Sequence, residues 1–285
     1  MSEAQNTLEQ AIDLKKSSNT TGDKAVEIRF DRSEPAEANG MTTMHRNNHC
    51  IIAYENTDSP ITEEYRKLKT VILRMTREEF RNTLMVTSAV SGEGKSVTSA
   101  NLAVMMAREY GQTVLLVDSD LRRPSLQEYL GIAPRFGLAD CLEDRIDAGR
   151  AIVKTGIPKL SFMSAGKEVE NPGELLSSQR MKEFLLELKH RYRDRYIIID
   201  SSPILLFAET QAMSMLVDGV LVVVKEGGVS LQGLTQMIEV LKGSNVLGMV
   251  YNDASTASLG GKHRYYSHYQ HYYHDDRYGK KQKKS

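Results

Sequence analysis

Little cysteine, no net charge and no long apolar run set the first limits on this chain. Cys50 and Cys141 lie far apart and form no CxxC pair. That argues against a disulfide framework or a structural metal site, and the two thiols read as reduced. Lysine plus arginine number 37 and aspartate plus glutamate number 37. Such a balance leaves no whole-protein field to draw the chain to nucleic acid or an anionic lipid surface. No segment approaches the roughly 18 consecutive apolar residues of a membrane span. The start, MSEAQNTLEQ, has no signal-peptide core. These absences point to work in the cytoplasm. At 285 residues the chain has room for one sizeable α/β domain with tails.

What is present is concentrated between Thr83 and Ala107, TLMVTSAVSGEGKSVTSANLAVMMA. A short apolar run meets a glycine-broken loop that opens into a helical pattern, a strand-loop-helix order. The loop, Ala89 to Ser96, carries the glycines, lysine and hydroxyl of a phosphate-binding loop. Gly92 and Gly94 can turn their amides inward, and with the positive end of the following helix they form an anion cradle. Ser91, Gly92, Glu93, Gly94, Lys95, Ser96 and Val97 are the expected nucleotide-binding residues, with Lys95 reaching the β- and γ-phosphates and Ser96 taking a place on Mg²⁺. The first position of the usual pattern is glycine. Here it is Ala89, which fits if its φ stays negative. Val97, Ala100, Asn101, Val104 and Ala107 recur at three- and four-residue steps, predicting a helix with one face on a sheet.

Two further apolar runs end in acid. Thr113 to Asp118 is followed by Ser119 and Asp120; Tyr196 to Asp200 is followed by Ser201, Ser202 and Pro203. In an open parallel sheet ligands bind beyond the carboxyl ends of the strands, so these acids and the phosphate loop point at one crevice. One amine facing several carboxylates and hydroxyls suits Mg²⁺, a hard ion that keeps waters and bridges phosphates. Ser96, Asp118 and Asp200 are its candidate ligands. Asn252 and Asp253, at the end of Val246 to Tyr251, either edge a purine or form a turn.

The remaining pattern predicts an α/β fold, a mostly parallel sheet flanked by helices on both faces, over residues 51–253. Ser59-Pro60 opens a helix, with Leu68, Ile72 and Met75 expected inward and Glu63, Arg66 and Lys69 along one shoulder. Ser178 to Tyr192 reads as a core-packing helix on Met181, Phe184, Leu185, Leu188 and Tyr192. Gly219 to Val224 and Val246 to Tyr251 read as buried strands, with a helix from Leu231 to Leu241 between them. Residues 1–16 form a short amphipathic helical pattern, and 17–50 a flexible linker rich in Ser, Thr, Asn and Gly. Residues 254–285 lack aliphatic side chains after Leu259 and cannot build a core, so they read as a disordered tail. That tail holds Tyr265, Tyr266, Tyr269, Tyr272, Tyr273 and Tyr278 among four histidines. Its seven basic residues face two acids, a net charge of about +5.

Taken together, these segments resemble the tyrosine autokinases of bacteria, the BY-kinases that regulate capsule and exopolysaccharide assembly. The resemblance rests on three motifs in order: AVSGEGKS, LLVDSDLR (Leu115 to Arg122) and IIIDSSP (Ile197 to Pro203). RRPSL, GLADCL and NPGELLSS are also similar, as is the tyrosine-rich end. It implies a P-loop NTPase fold, ATP and Mg²⁺ as cofactors, and phosphoryl transfer to the tail tyrosines between subunits. Lys95, Asp118, Asp120, Asp200 and Arg122 are then the catalytic candidates. Asp118 would orient and accept the phenol proton with Asp120 supporting the metal shell, or the two exchange roles, while Arg122 braces the acids or neutralises the transferring group. Glu63, Arg66 and Lys69 match the family's E-x-x-R-x-x-R oligomerisation helix, with lysine in the last place, implying a homo-oligomeric ring. The family also implies a membrane chain-length (polysaccharide co-polymerase) protein as activator, a protein-tyrosine phosphatase, no nucleic-acid partner, and a cytoplasmic chain recruited to the inner face of the membrane. The start, TLEQAIDLKKS, is similar to the N-terminal helix of kinases from exosortase-linked loci. The alternative is a nucleotide-gated switch like the partition and septum-site ATPases. Those carry a signature lysine near the start of the loop, where this chain has Ala89-Val90-Ser91.

Overall fold

A computed structural model describes residues 51–55, 59–78, 81–191 and 195–254. The expected helix at 1–16, the linker at 17–50 with Cys50, Tyr192, and the six tail tyrosines lie outside the described residues. Among those described, no helix is long and apolar enough to cross a membrane.

Seven strands form one sheet: β1 (Thr83–Ser88), β2 (Thr113–Asp118), β3 (Val153–Lys154), β4 (Leu160–Met163), β5 (Arg195–Asp200), β6 (Gly219–Lys225) and β7 (Val246–Asn252). Their order is β3-β4-β2-β5-β1-β6-β7, and every pairing is parallel except β3 with β4. A strand buried on both faces tends toward a continuous apolar run, and β1 is buried along its whole length, Thr83, Thr87 and Ser88 included. Alternation then divides each strand between two cores. Met85, Leu115, Val117, Ile197 and Ile199 face one layer. Leu84, Val86, Val114, Leu116 and Ile198 face the other.

The second layer is built by α1 (Ile52–Glu55), α2 (Pro60–Thr76) and α3 (Lys95–Ala107). At the start of α2 the Ser59 hydroxyl accepts the Thr62 amide at 3.1 Å, with Pro60 in the first turn. Ile72 is buried as expected, but Met75 is 43% exposed. Thr76 takes the inward place instead, because a four-residue step from Ile72 lands there; its hydroxyl lies 2.8 Å from that of Tyr196. The helix α3 also departs from expectation. It is buried nearly all round, not on one face, with Lys95 and Val97 the partly exposed exceptions. The cause is its covering by α1 and α2: Asn101 accepts the Ala53 amide at 2.9 Å and donates to the Val97 carbonyl at 2.8 Å.

The short α4 (Leu126–Leu130) packs on the same side as α3, and on the opposite face lie α5 to α7 (Leu138–Glu143, Ala148–Ala151 and Pro172–Leu176). With them come α8 (Gln179–Arg191), α9 (Ala208–Ser214) and α10 (Leu231–Val240). Met181, Phe184, Leu185 and Leu188 of α8 are buried, as its periodicity predicts. The expectation that β7 is a buried strand is overturned: Val246, Met249 and Tyr251 are exposed. Among the described residues β7 pairs with β6 alone, so it forms an edge.

Candidate functional site

Sheet register decides what meets at the carboxyl edge. Asp118 of β2 stands directly opposite Asp200 of β5, and Asp200 opposite Val86 of β1, just before the phosphate loop. Three strand ends are thereby brought to one level.

The loop leaves β1 through Ala89, which is fully buried and absent from the positive-φ residues, so alanine meets no backbone penalty there. Gly92 and Gly94 do take left-handed φ values, +84° and +88°. At Gly94 a Cβ would also sit 2.2 Å from the Asn252 amide nitrogen. That nitrogen donates to the Glu93 carbonyl at 2.9 Å, so Asn252 buttresses the loop from the end of β7. Glu93 turns its carboxylate inward, where it accepts the Val90 amide at 2.9 Å and the Lys225 amide at 3.3 Å. Its side chain is a strut for the loop. Asp253 has a φ of +52° and pairs with Lys225 at 2.8 Å, the behaviour of a turn residue. Ser91 is exposed at the loop's tip.

Lys95 begins α3 and points back over the strand ends. Its amine donates to Asp120 Oδ2 at 2.9 Å and to Ser96 Oγ at 3.2 Å, and lies 3.8 Å from Asp200 Oδ2. Burial disfavours its charge, yet Asp200, Asp120 and Asp118 together outweigh that cost and raise the amine above its ordinary value. Asp118 accepts the Asp120 amide on Oδ1 and the Ser125 and Leu126 amides on Oδ2, each at 3.1 Å. Burial, with Asp200 adding, pushes its carboxyl up to about 7. Asp120 accepts the Ser202 hydroxyl at 2.7 Å and the Arg123 amide at 3.1 Å on Oδ1. Asp200 accepts the Ser99 hydroxyl on Oδ1 at 3.0 Å, while its Oδ2 has no hydrogen-bond partner. Burial raises that carboxyl too, against the pull of Lys95. Lys95, Asp118, Asp120 and Asp200 therefore form one cluster, with Ser96 at its edge.

Arg122 stands two residues beyond Asp120, its Nε donating to Glu209 at 2.8 Å. The oligomerisation candidates occupy α2: Arg66 pairs with Glu63 at 2.6 Å, and Lys69 with Glu109, after α3, at 2.6 Å. Sequence reasoning missed Ser99, Ser202, Glu209 and Phe207. Ser99 had a signal, since it follows Lys95 by four residues and shares its helix face. The others had none, because their partners are 80 or more residues away in the chain.

The cluster suits a divalent cation. When ionised, three carboxylates exceed one amine by two charges, and a fully buried carboxylate oxygen on Asp200 lacks a donor. Among the described residues no three acidic, histidine or cysteine side chains converge as direct metal ligands. An ion here would take few protein oxygens and complete its shell with phosphate and water, as Mg²⁺ does.

Comparison with known proteins agrees. The AAA domain family matches residues 82–246. The tyrosine-protein kinase YwqD of Bacillus subtilis is 33% identical over 233 residues, covering 81% of this chain and 94% of that protein. The putative tyrosine-protein kinase EpsB of Ralstonia solanacearum is 30% identical over 80% of this chain; the chain spans only 31% of that longer protein. Among solved structures, the kinase domain of the Escherichia coli tyrosine kinase ETK superposes with a TM-score of 0.66 at 27% identity, covering 71% of this chain and 79% of that one. By the matched family, the identity and the coverage, the chain belongs to the bacterial tyrosine-protein kinase family built on the AAA domain.

Proposed function

We propose that this chain transfers the γ-phosphoryl group of ATP to tyrosine, and that the acceptors are Tyr265, Tyr266, Tyr269, Tyr272, Tyr273 and Tyr278 on a neighbouring subunit. The supporting observation is the clustering of Lys95, Asp118, Asp120 and Asp200 beyond three adjacent strand ends. Phosphoryl transfer asks a protein mainly to position and neutralise. The loop amides and Lys95 hold the phosphates. Lys95 exchanges Asp120 for phosphate oxygens when nucleotide enters. Ser96 and Asp200, with Asp118 nearby, would hold Mg²⁺, which supplies further neutralisation of phosphate charge when bound.

Asp118 is the group that orients and accepts the phenol proton. Its three backbone donors fix the carboxylate and use about three of its roughly four lone-pair sites, leaving one for a phenol. Tyrosine, with an unperturbed pKa near ~10, needs such an acceptor at neutral pH. Asp120 supports the ion's shell and receives Ser202. Arg122 neutralises the transferring group. A flexible segment of about 30 residues spans roughly 30 Å root-mean-square, the reach that transfer between subunits asks for. Glu63, Arg66 and Lys69 on α2 support a ring of subunits. A membrane chain-length protein acts as activator at the inner face of the membrane, a phosphatase resets the tail, and the biological output is control of exopolysaccharide export.

The test is incubation with radiolabelled ATP and Mg²⁺, read by autoradiography and phosphotyrosine blotting. Wild type is expected to label itself, Lys95→Met to lose labelling by at least ~100-fold, and a chain with the six tail tyrosines changed to phenylalanine to hydrolyse ATP slowly without labelling. Mixing the Lys95→Met chain with the six-phenylalanine chain should restore label on the former. ATP turnover with no phosphotyrosine in the wild type would replace this reading with that of a switch ATPase.

A further inference from the structure

Arg122 is held in a way that its place after Asp120 does not explain. Its Nε donates to Glu209 Oε1 at 2.8 Å, and its guanidinium lies 4.6 Å from the centre of the Phe207 ring. Glu209 is nearly enclosed, with 6% of its side chain exposed against 38% for Arg122. It sits in the first turn of α9, where the helix field favours a carboxylate. A third element closes the arrangement: a Cβ at Gly173 in α7 would lie 3.3 Å from Glu209 Oε2 and 3.6 Å from Arg122 Nη2. Glycine there lets the backbone of α7 approach the pair.

An exposed ion pair leaves an arginine free to sample rotamers and contributes little. Here the acid is buried and the ring flanks the cation, so the long side chain is fixed near its tip. Glu209 engages Nε, one of five guanidinium donors, and a carboxylate or phosphate is read through the paired Nη edge. Two residues of backbone span at most about 7 Å, so the backbone of Arg122 lies within that distance of the backbone of Asp120, the partner of Lys95.

We propose that Glu209 and Phe207 form a socket that fixes Arg122 for the transferring phosphoryl group, making Glu209 a positioning residue. The inference rests on the reading that Arg122 neutralises that group. Preorganised donors matter most where charge develops, so loss of the socket lowers turnover more than ground-state binding.

The experiment uses the full chain with Glu209→Gln, Glu209→Asp, Phe207→Leu, Arg122→Lys and the Glu209→Gln/Arg122→Lys pair. Initial rates of autophosphorylation give kcat and KM for ATP, and calorimetry gives affinity for ADP alone and for ADP with aluminium fluoride. Glu209→Gln is expected to lower kcat about 10-fold with KM and ADP affinity within about twofold, and to weaken the aluminium fluoride complex by a similar factor. Glu209→Asp should recover most of both, Phe207→Leu should lose about threefold, and the double variant should be no slower than Arg122→Lys. Unchanged ADP affinity marks the variants as folded. If Arg122→Lys leaves kcat and the aluminium fluoride complex unaltered, the role of Arg122 falls. If Arg122→Lys impairs both and Glu209→Gln impairs neither, Arg122 stands and the socket is overturned. A Glu209→Gln loss confined to melting temperature or ADP affinity also overturns it.

Discussion

Asp200 shows how a single residue can be set against the stability of its own fold. Its Oδ1 takes a hydroxyl from Ser99, but Oδ2 is buried with no donor, the nearest amine being 3.8 Å away. Burial raises its carboxyl in the folded chain above the unfolded value. A carboxyl shifted upward favours folding at low pH; that advantage is lost as pH rises from the ordinary carboxylate range through the folded value. In nucleotide-free protein, Asp200→Asn should therefore raise the melting temperature at pH 8, by about 2–4 °C for each kcal/mol relieved, with the gap closing toward pH 5. Thermal scans across pH check this, and a gap that widens on acidification would contradict it. The same substitution should weaken Mg²⁺-dependent nucleotide binding. Gly94 illustrates the complementary case of a residue with no freedom to vary, since its φ of +88° and the Asn252 amide both exclude a side chain.

At the scale of elements, α3 links the phosphate loop to the outer helices. Its interior position depends on Asn101, fully buried and bonded both to the Ala53 amide of α1 and to its own helix. Asn101→Ala leaves a buried amide without an acceptor, at a cost of about 1–3 kcal/mol. The expected result is a melting temperature several degrees lower and faster hydrogen exchange at Ala53. The Lys69–Glu109 pair, partly exposed, gives the contrast: Lys69→Ala should change monomer stability by less than about 1 kcal/mol. Equal destabilisation by the two substitutions would show that α1 is not docked through Asn101. Elements were unequally legible in the sequence. The runs that became β1, β2 and β5 were plain because central parallel strands carry apolar runs in their middle and two of them end in acid. The two strands β3 and β4 were missed, being two and four residues long without a continuous apolar signal. For β7 the apolar content misled, because a single strand's composition does not say whether a neighbour covers its second edge.

For the whole molecule the tail sets the expectation. Unmodified it carries about +5, and each phosphotyrosine adds about −1.5 to −2 charges, so about three to four modifications reverse its sign. A tail of reversed charge is repelled by a crevice lined with Asp118, Asp120 and Asp200. Subunits assembled with unmodified tails should separate as phosphorylation proceeds, a change read by light scattering on size-exclusion fractions before and after ATP. An unchanged assembly mass would count against this coupling.

Residue types and local spacing, both carried by the covalent chain, determined the phosphate loop, the two acid-ended strands, the α/β alternation and the family. Which oxygen lacks a donor, which serine serves Asp120, and that Glu209 and Phe207 meet Arg122 were decided by tertiary structure alone. Those contacts depend on strand order β2-β5-β1 and its register, which bring together groups 80 or more residues apart. No local pattern encodes such a meeting, because each partner's neighbours in sequence follow the geometry of its own element and carry no mark of the distant side chain it will face.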